Sequence, residues 1–124
     1  MEQKERVALV EGYLGRIVQI EIDRPIGYIH HKPKYDLIYP INYGYIPGVL
    51  GGDGEELDVY IMGVEEPLDR FEGRIVGIVF RENDVEDKLI AAPVGILYSE
   101  EEIARAIHFQ EQYYRTYVKA WDGQ

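Results

Sequence analysis

The order of hydrophobic and polar positions divides most of the chain into extended segments followed by one helical segment. From Gly15 to Asp23 the residues alternate, with Val18, Ile20 and Ile22 on one face and Ile17, Gln19 and Glu21 on the other, the two-residue period of a strand. Arg24-Pro25 predicts its end. Tyr28 to Lys32 and Leu37 to Tyr39 read as further extended pieces, punctuated by Pro33 and Asp36. Between Tyr39 and Glu56, Pro40, Gly44, Pro47, Gly48, Gly51, Gly52 and Gly54 predict turns and short extended pieces, the least regular part of the chain. Leu57 to Met62 is rich in β-formers and reads as a strand. Gly73 to Arg81 and Lys88 to Ala92 read as a hairpin around the acidic turn Glu82-Asn83-Asp84-Val85-Glu86-Asp87.

The helical signal comes late. Ser99 with Glu102 three positions on makes a capping box, and Glu100 and Glu101 suit the positive end of a helix dipole. Ile103, Ala106, Ile107, Gln110, Tyr113, Tyr114 and Tyr117 follow at helical spacing, which predicts one helix from about Glu100 to Lys119. The pattern therefore predicts a mainly β (α+β) chain. An OB-like five-stranded β-barrel with one long C-terminal α-helix fits it, with a sandwich as the alternative. A length of 124 residues with 46% apolar content supplies one core, so residues 1–124 are read as a single domain.

Charge narrows the function classes. Twenty-three acidic against 13 basic residues give a formal charge of -10, which repels nucleic acid and anionic membranes, so neither is expected as a partner. A phosphate-bearing substrate must then be met by metal ions or by a local cluster of cations. With no cysteine there is neither a disulfide framework nor a thiolate metal site. No apolar run has the length of a signal peptide or membrane span, so the expected location is cytoplasmic.

The candidate chemistry is concentrated in Gly51-Gly52-Asp53-Gly54-Glu55-Glu56-Leu57-Asp58-Val59. Four carboxylates in a glycine-bearing turn that enters a strand can bring several oxygens to one point, the donor set preferred by hard cations such as Mg²⁺. The same cluster taken alone also reads as a solvated acidic turn. An EF-hand is excluded by spacing and flanks.

The stretch YPINYGYIPGVLGGDGEELDVYI, Tyr39 to Ile61, resembles the signature region of the soluble family I inorganic pyrophosphatases, where Tyr-Pro-x-Asn-Tyr-Gly-Tyr-Ile leads into Asp-x-Asp-Pro-x-Asp. The resemblance extends, more weakly, from Gly15 to Lys119. It implies Mg²⁺-dependent hydrolysis of inorganic pyrophosphate, with Mn²⁺ as an alternative metal, and a homo-oligomer, commonly a hexamer. By the same resemblance Asp53, Glu55 and Asp58 are metal ligands, with Glu55 where the family has its middle aspartate and Glu56 where it has proline. Glu86, with Asp87 beside it, matches its second metal loop, whose upstream aspartate falls on Asp84 or, with a different gap, Asn83, and Lys88 matches its phosphate-binding lysine. Tyr43 stands beside the nucleophilic water, with Asp58 our choice for the base that takes its proton. Glu21 matches an active-site glutamate of the first barrel strand. Tyr39 and Tyr113 match active-site and phosphate-binding tyrosines, and the family lysine that follows the latter falls on Tyr114.

The chain also departs from that pattern. A lysine, a glutamate and an arginine of the family pocket fall on Gly27, Ile29 and near His31. Arg24, His30, His31, Lys32 and Lys34 form a locally basic stretch nearby, from which Arg24 and His31 are expected to bind phosphate. His30 and His31, adjacent in a strand, point to opposite faces. The altered stretch leaves two alternatives to pyrophosphate hydrolysis: turnover of another small diphosphate, or metal or phosphate binding without catalysis.

Overall fold

The computed structural model describes residues 2–82 and 86–124. In chain order the elements are α1 (Gln3–Glu11), β1 (Ile17–Arg24), β2 (Ile29–His31), β3 (Asp36–Ile38), β4 (Asn42–Leu50), β5 (Glu56–Ile61), β6 (Arg70–Arg81), β7 (Lys88–Ala92), α2 (Glu100–Glu111) and β8 (Thr116–Ala120). The main sheet runs β1-β4-β5-β7-β6-β8, and β1 also pairs with β6. That pairing closes β1, β4, β5, β7 and β6 into the expected five-stranded barrel. β5 and β7 are parallel, the other pairs antiparallel, and β2 and β3 form a separate hairpin.

Strand alternation creates two apolar layers. Val18, Ile20, Val59, Ile61, Ile75, Ile78, Leu89 and Ala91 fill the barrel, while the intervening Tyr60, Met62, Val76, Val79, Ile90 and Ala92 face outward under Ile103 and Ile107 of α2. Strands buried on both faces read as nearly continuous apolar runs, which is why β5, β6 and β7 were strong signals in the sequence.

Three expectations require correction. The irregular stretch predicted from Tyr39 contains the nine-residue strand β4, whose glycine is needed for pairing. A Cβ on Gly44 would lie 1.9 Å from the Glu21 carbonyl oxygen, so only glycine lets β1 cross there. The predicted helix stops at Glu111, and residues 116–120 form β8 instead. Pairing with β6 from Gly77↔Ala120 to Arg81↔Thr116, and stacking of Tyr117 on Phe80 at 4.8 Å, outweigh the helical spacing of the tyrosines. There are two helices rather than one: the charged N-terminal segment forms α1, which inserts Val10 into the barrel core. Among the described residues, no helix is long and apolar enough to cross a membrane.

Candidate active site

Where the ends of β1 and β6 meet the hairpin and the end of α2, the structure forms a pocket of about 230 Å³. Asp23 and Arg24 reach it from β1, His30, Lys32 and Tyr35 from the β2–β3 hairpin, and Tyr43 and Asp58 from β4 and β5. Arg81 enters from the end of β6, Lys88 from the start of β7 and Glu86 from two residues before it, Gln110 from the end of α2, and Tyr113 and Tyr114 from the residues that follow α2. Thus a chain of strong negative charge gathers four permanent cations, Arg24, Lys32, Arg81 and Lys88, around one concavity.

Lys88 is central. It is the first residue of β7, and its side chain is 2% exposed. The Nζ donates to Tyr43 Oη at 2.6 Å, Glu86 Oε1 at 2.7 Å and Asp58 Oδ2 at 2.8 Å, matching its three protons to three oxygens. Tyr43 in turn donates to Asp58 Oδ2 at 2.8 Å. Burial, reinforced by the Asp58 carboxylate, pushes the Tyr43 phenol well above its ordinary value, so the hydroxyl remains a donor. Register places these groups together because Tyr45 opposes Asp58 and Tyr43 opposes Tyr60 across β4 and β5, while Val59 opposes Leu89 across β5 and β7.

A second group supports the wall. Tyr39 is fully buried, accepts a hydrogen bond from Arg24 and donates one to Gln110. The Arg24 guanidinium lies 5.5 Å from the ring centroids of both Tyr39 and Tyr43. Burial and the neighbouring Arg24 lower the pKa of His30, so its ring is neutral at pH 7. Burial raises the pKa of Asp23.

Of the residues chosen from sequence, Asp58, Tyr43, Lys88, Tyr113, Arg24 and Glu86 line the pocket, and Tyr39 stands directly behind Arg24. Glu21 is exposed on β1 away from the lining, and the carboxylate that β1 presents to the pocket is Asp23, two residues on. His31 pairs with Asp36 at 2.8 Å on the exposed side of the hairpin, so the pocket takes His30 where the sequence reading chose His31. Asp53 Oδ1 accepts the Glu55 amide at 3.0 Å within its own turn, and both residues are exposed outside the lining. Asp87 points away into a buried pair with Arg6 at 2.8 Å, and also accepts the Arg81 amide. Asp84 lies outside the described residues. Among the described residues, no three His, Cys, Asp or Glu groups are gathered as a metal cluster. The sequence reading missed Asp23, Tyr35, Arg81, Gln110 and Tyr114 at the pocket; of these, only Tyr114 had a signal, through the lysine position it occupies.

A sequence model of the family described as inorganic pyrophosphatase matches residues 8–121. The inorganic pyrophosphatase of Xylella fastidiosa (strain 9a5c) is 31% identical over 91 residues, 66% of this chain and 49% of that protein. That of Saccharolobus solfataricus is 41% identical over 61 residues, 46% of this chain and 36% of that protein. The chain thus spans about half the length, or less, of these curated relatives. Among solved structures, inorganic pyrophosphatase from Ehrlichia chaffeensis superposes with a TM-score of 0.67 at 18% identity, covering 87% of this chain and 88% of the other. An inorganic pyrophosphatase from Neisseria gonorrhoeae gives 0.55 at 24% identity, covering 86% and 80%. At these identities the superpositions speak for the fold.

Proposed function

The chain belongs to the inorganic pyrophosphatase family, and from that membership we propose that it hydrolyses inorganic pyrophosphate to two phosphates, with a divalent ion, Mg²⁺ by preference, in the pocket. The observation that carries this reading is the convergence of Lys88, Asp58, Tyr43 and Glu86 from separate elements at 2.6–2.8 Å.

Membership in the family implies a divalent metal. The donor chemistry suits one, because the carboxylates at the pocket, Asp23, Asp58 and Glu86, offer only hard oxygens. Asp58 and Glu86 would hold it from the pocket wall. Such an ion supplies Lewis acidity, drawing charge from phosphate oxygens and acidifying a water.

The chain's own groups do the rest. Arg24 binds the phosphate oxygens, with Tyr113 beside it, and the Lys88 ammonium, its protons held by Tyr43, Asp58 and Glu86, adds the charge that offsets the anion's. Asp58 accepts a proton as the water oxygen bonds to one phosphorus. The bridging P–O bond breaks, and its electron pair leaves on the second phosphate, next to the Lys88 ammonium. Tyr43, held between Lys88 and Asp58, keeps the carboxylate oriented. A cytoplasmic homo-oligomer, a hexamer by family resemblance, belongs to the same reading and is tested by sedimentation.

The deciding measurement is phosphate release from pyrophosphate by pure protein with Mg²⁺ or Mn²⁺, beside Asp58→Asn. Release by the wild type and its near loss in the variant are expected. No release by the wild type, or equal release by both, overturns the reading.

A further inference from the structure

Three of the four permanent cations around the pocket are engaged by protein groups. Lys88 gives its three protons to three oxygens, Arg81 is paired with Glu111 and Glu86, and Arg24 donates to Tyr39. Lys32 differs: it is half-buried in the pocket wall, yet among the described residues its ammonium has no side-chain partner, although the chain's net charge is -10. Its charge is felt in the wall. After burial and Arg24, Lys32 is the next cause that holds the His30 pKa below its ordinary value.

The backbone fixes which way this residue is carried. Lys32 follows β2 directly and, two positions from His30, shares its face, while His31 between them turns outward to Asp36. The Lys32 amide donates to the Tyr35 carbonyl at 3.0 Å, closing a turn in which Pro33 fixes one backbone angle.

The hairpin itself pairs two three-residue strands outside the barrel, too little to hold its shape alone. Its base is anchored by Leu37, buried in the outer apolar layer, and by Tyr28, packed edge-on against Tyr39 at 5.8 Å. At the tip, the Tyr35 ring stacks on Tyr113, with centroids 4.8 Å apart and planes within 20°. Tyr35 is 36% exposed and Tyr113 50%, so this stack adds little to a core. It joins two segments that both line the pocket, the hairpin and the residues after α2.

We propose that Lys32 binds phosphate oxygens of the substrate and that Tyr35, by stacking on Tyr113, is the positioning residue that holds the hairpin with Lys32 toward the pocket. This rests on the reading that the pocket accepts a phosphate anhydride, and it adds two residues outside the set implied by the family pattern.

Calorimetric titration with inorganic phosphate and with imidodiphosphate in Mg²⁺ buffer tests it, on variants whose circular dichroism matches the wild type. Lys32→Met is expected to weaken binding of both anions about 10-fold, the lower end for a lost hydrogen bond to a charged group. Lys32→Arg should recover most of that affinity. Lys34→Met removes the same charge from the exposed turn outside the pocket lining and should leave affinity unchanged. Tyr35→Leu is expected to weaken binding roughly threefold, within the range for one aromatic pair, and to raise KM for pyrophosphate with kcat nearly unchanged. Tyr35→Phe keeps the stack and should behave as the wild type. Beside Lys32→Met, Tyr35→Leu should add nothing. In the wild type with ¹³C-methylated lysines, the Lys32 resonance, assigned by its absence in Lys32→Arg, should shift on phosphate addition. Wild-type affinity in Lys32→Met, an equal loss in Lys34→Met, or an unmoved Lys32 resonance at saturating phosphate overturns the proposal while leaving pyrophosphate hydrolysis standing. Additive losses in the Lys32→Met, Tyr35→Leu pair overturn the role of Tyr35. A wild type that neither binds these anions nor releases phosphate from pyrophosphate overturns both readings.

Discussion

At Lys88, three protons meet three oxygens in a nearly dry setting, so the residue is both a structural link and a charge aimed at the pocket. Lys88→Met leaves Asp58 and Glu86 without their shared cation; a stability loss of about 1–3 kcal/mol is expected, the cost of unsatisfied partners that keep some solvent contact. Urea denaturation measures that loss, and phosphate release from pyrophosphate should fall to background. Tyr43→Phe keeps the ring but removes a hydroxyl that accepts from Lys88 and donates to Asp58. One charge-assisted hydrogen bond is worth about 1.5–3 kcal/mol, so a roughly 10- to 100-fold fall in kcat is expected. Because burial and Asp58 raise the Tyr43 pKa, the wild-type rate profile should show no alkaline limb from this phenol up to pH 10. A limb below pH 10 that disappears in Tyr43→Phe would contradict this assignment. Asp58, Tyr43 and Lys88 were legible as residues through short motifs. Asp23 and His30 were not, because a strand's period says which residues share a face and not which face meets a pocket.

Among the elements, α2 has the most local specification. Ser99 Oγ accepts the Glu102 amide at 3.1 Å, and Glu102 Oε1 accepts the Ser99 amide at 2.9 Å, completing the capping box read from sequence. Ser99→Ala should cost about 1 kcal/mol, read by chemical denaturation. Hydrogen bonds from the Ser99 amide hold the Glu102 carboxyl below its ordinary value of 4.5. A depressed carboxyl contributes stability that is present above the unfolded-state pKa and lost as pH falls through the folded-state pKa. The melting-temperature difference between wild type and Glu102→Ala should therefore be full above pH 4.5 and shrink below it. In β4, Gly44→Ala drives a methyl into the β1 backbone, and a loss of about 1–3 kcal/mol is expected from overpacking. The cap was legible because it spans four residues. β4 was not, because its turn-like composition is overridden by pairing with β1 and β5.

Over the whole molecule, the two helices close the barrel differently. α2 covers the outward-facing layer of β5, β6 and β7, whereas α1 adds Val10 to the interior and sends Arg6 to Asp87. The Asp87 side chain is 1% exposed, so Arg6→Ala strands a buried carboxylate between Glu86 and Lys88 in the chain. A loss of about 3 kcal/mol is expected by denaturation, with reduced phosphate release even in the folded fraction. The amino-acid sequence by itself determined the mainly β class, most of the strands, the cap of α2 and the acidic and tyrosine motifs, since apolar period, capping and motif spacing act over a few neighbouring residues, and it left barrel and sandwich both open. Only the tertiary structure decided that residues 116–120 extend the sheet, that Asp87 serves α1, and that Asp23, His30 and Arg81 face the pocket with Lys88. Those outcomes depend on pairings and charge contacts between segments far apart in the chain, and burial of both faces of the central strands leaves no local pattern from which to read them.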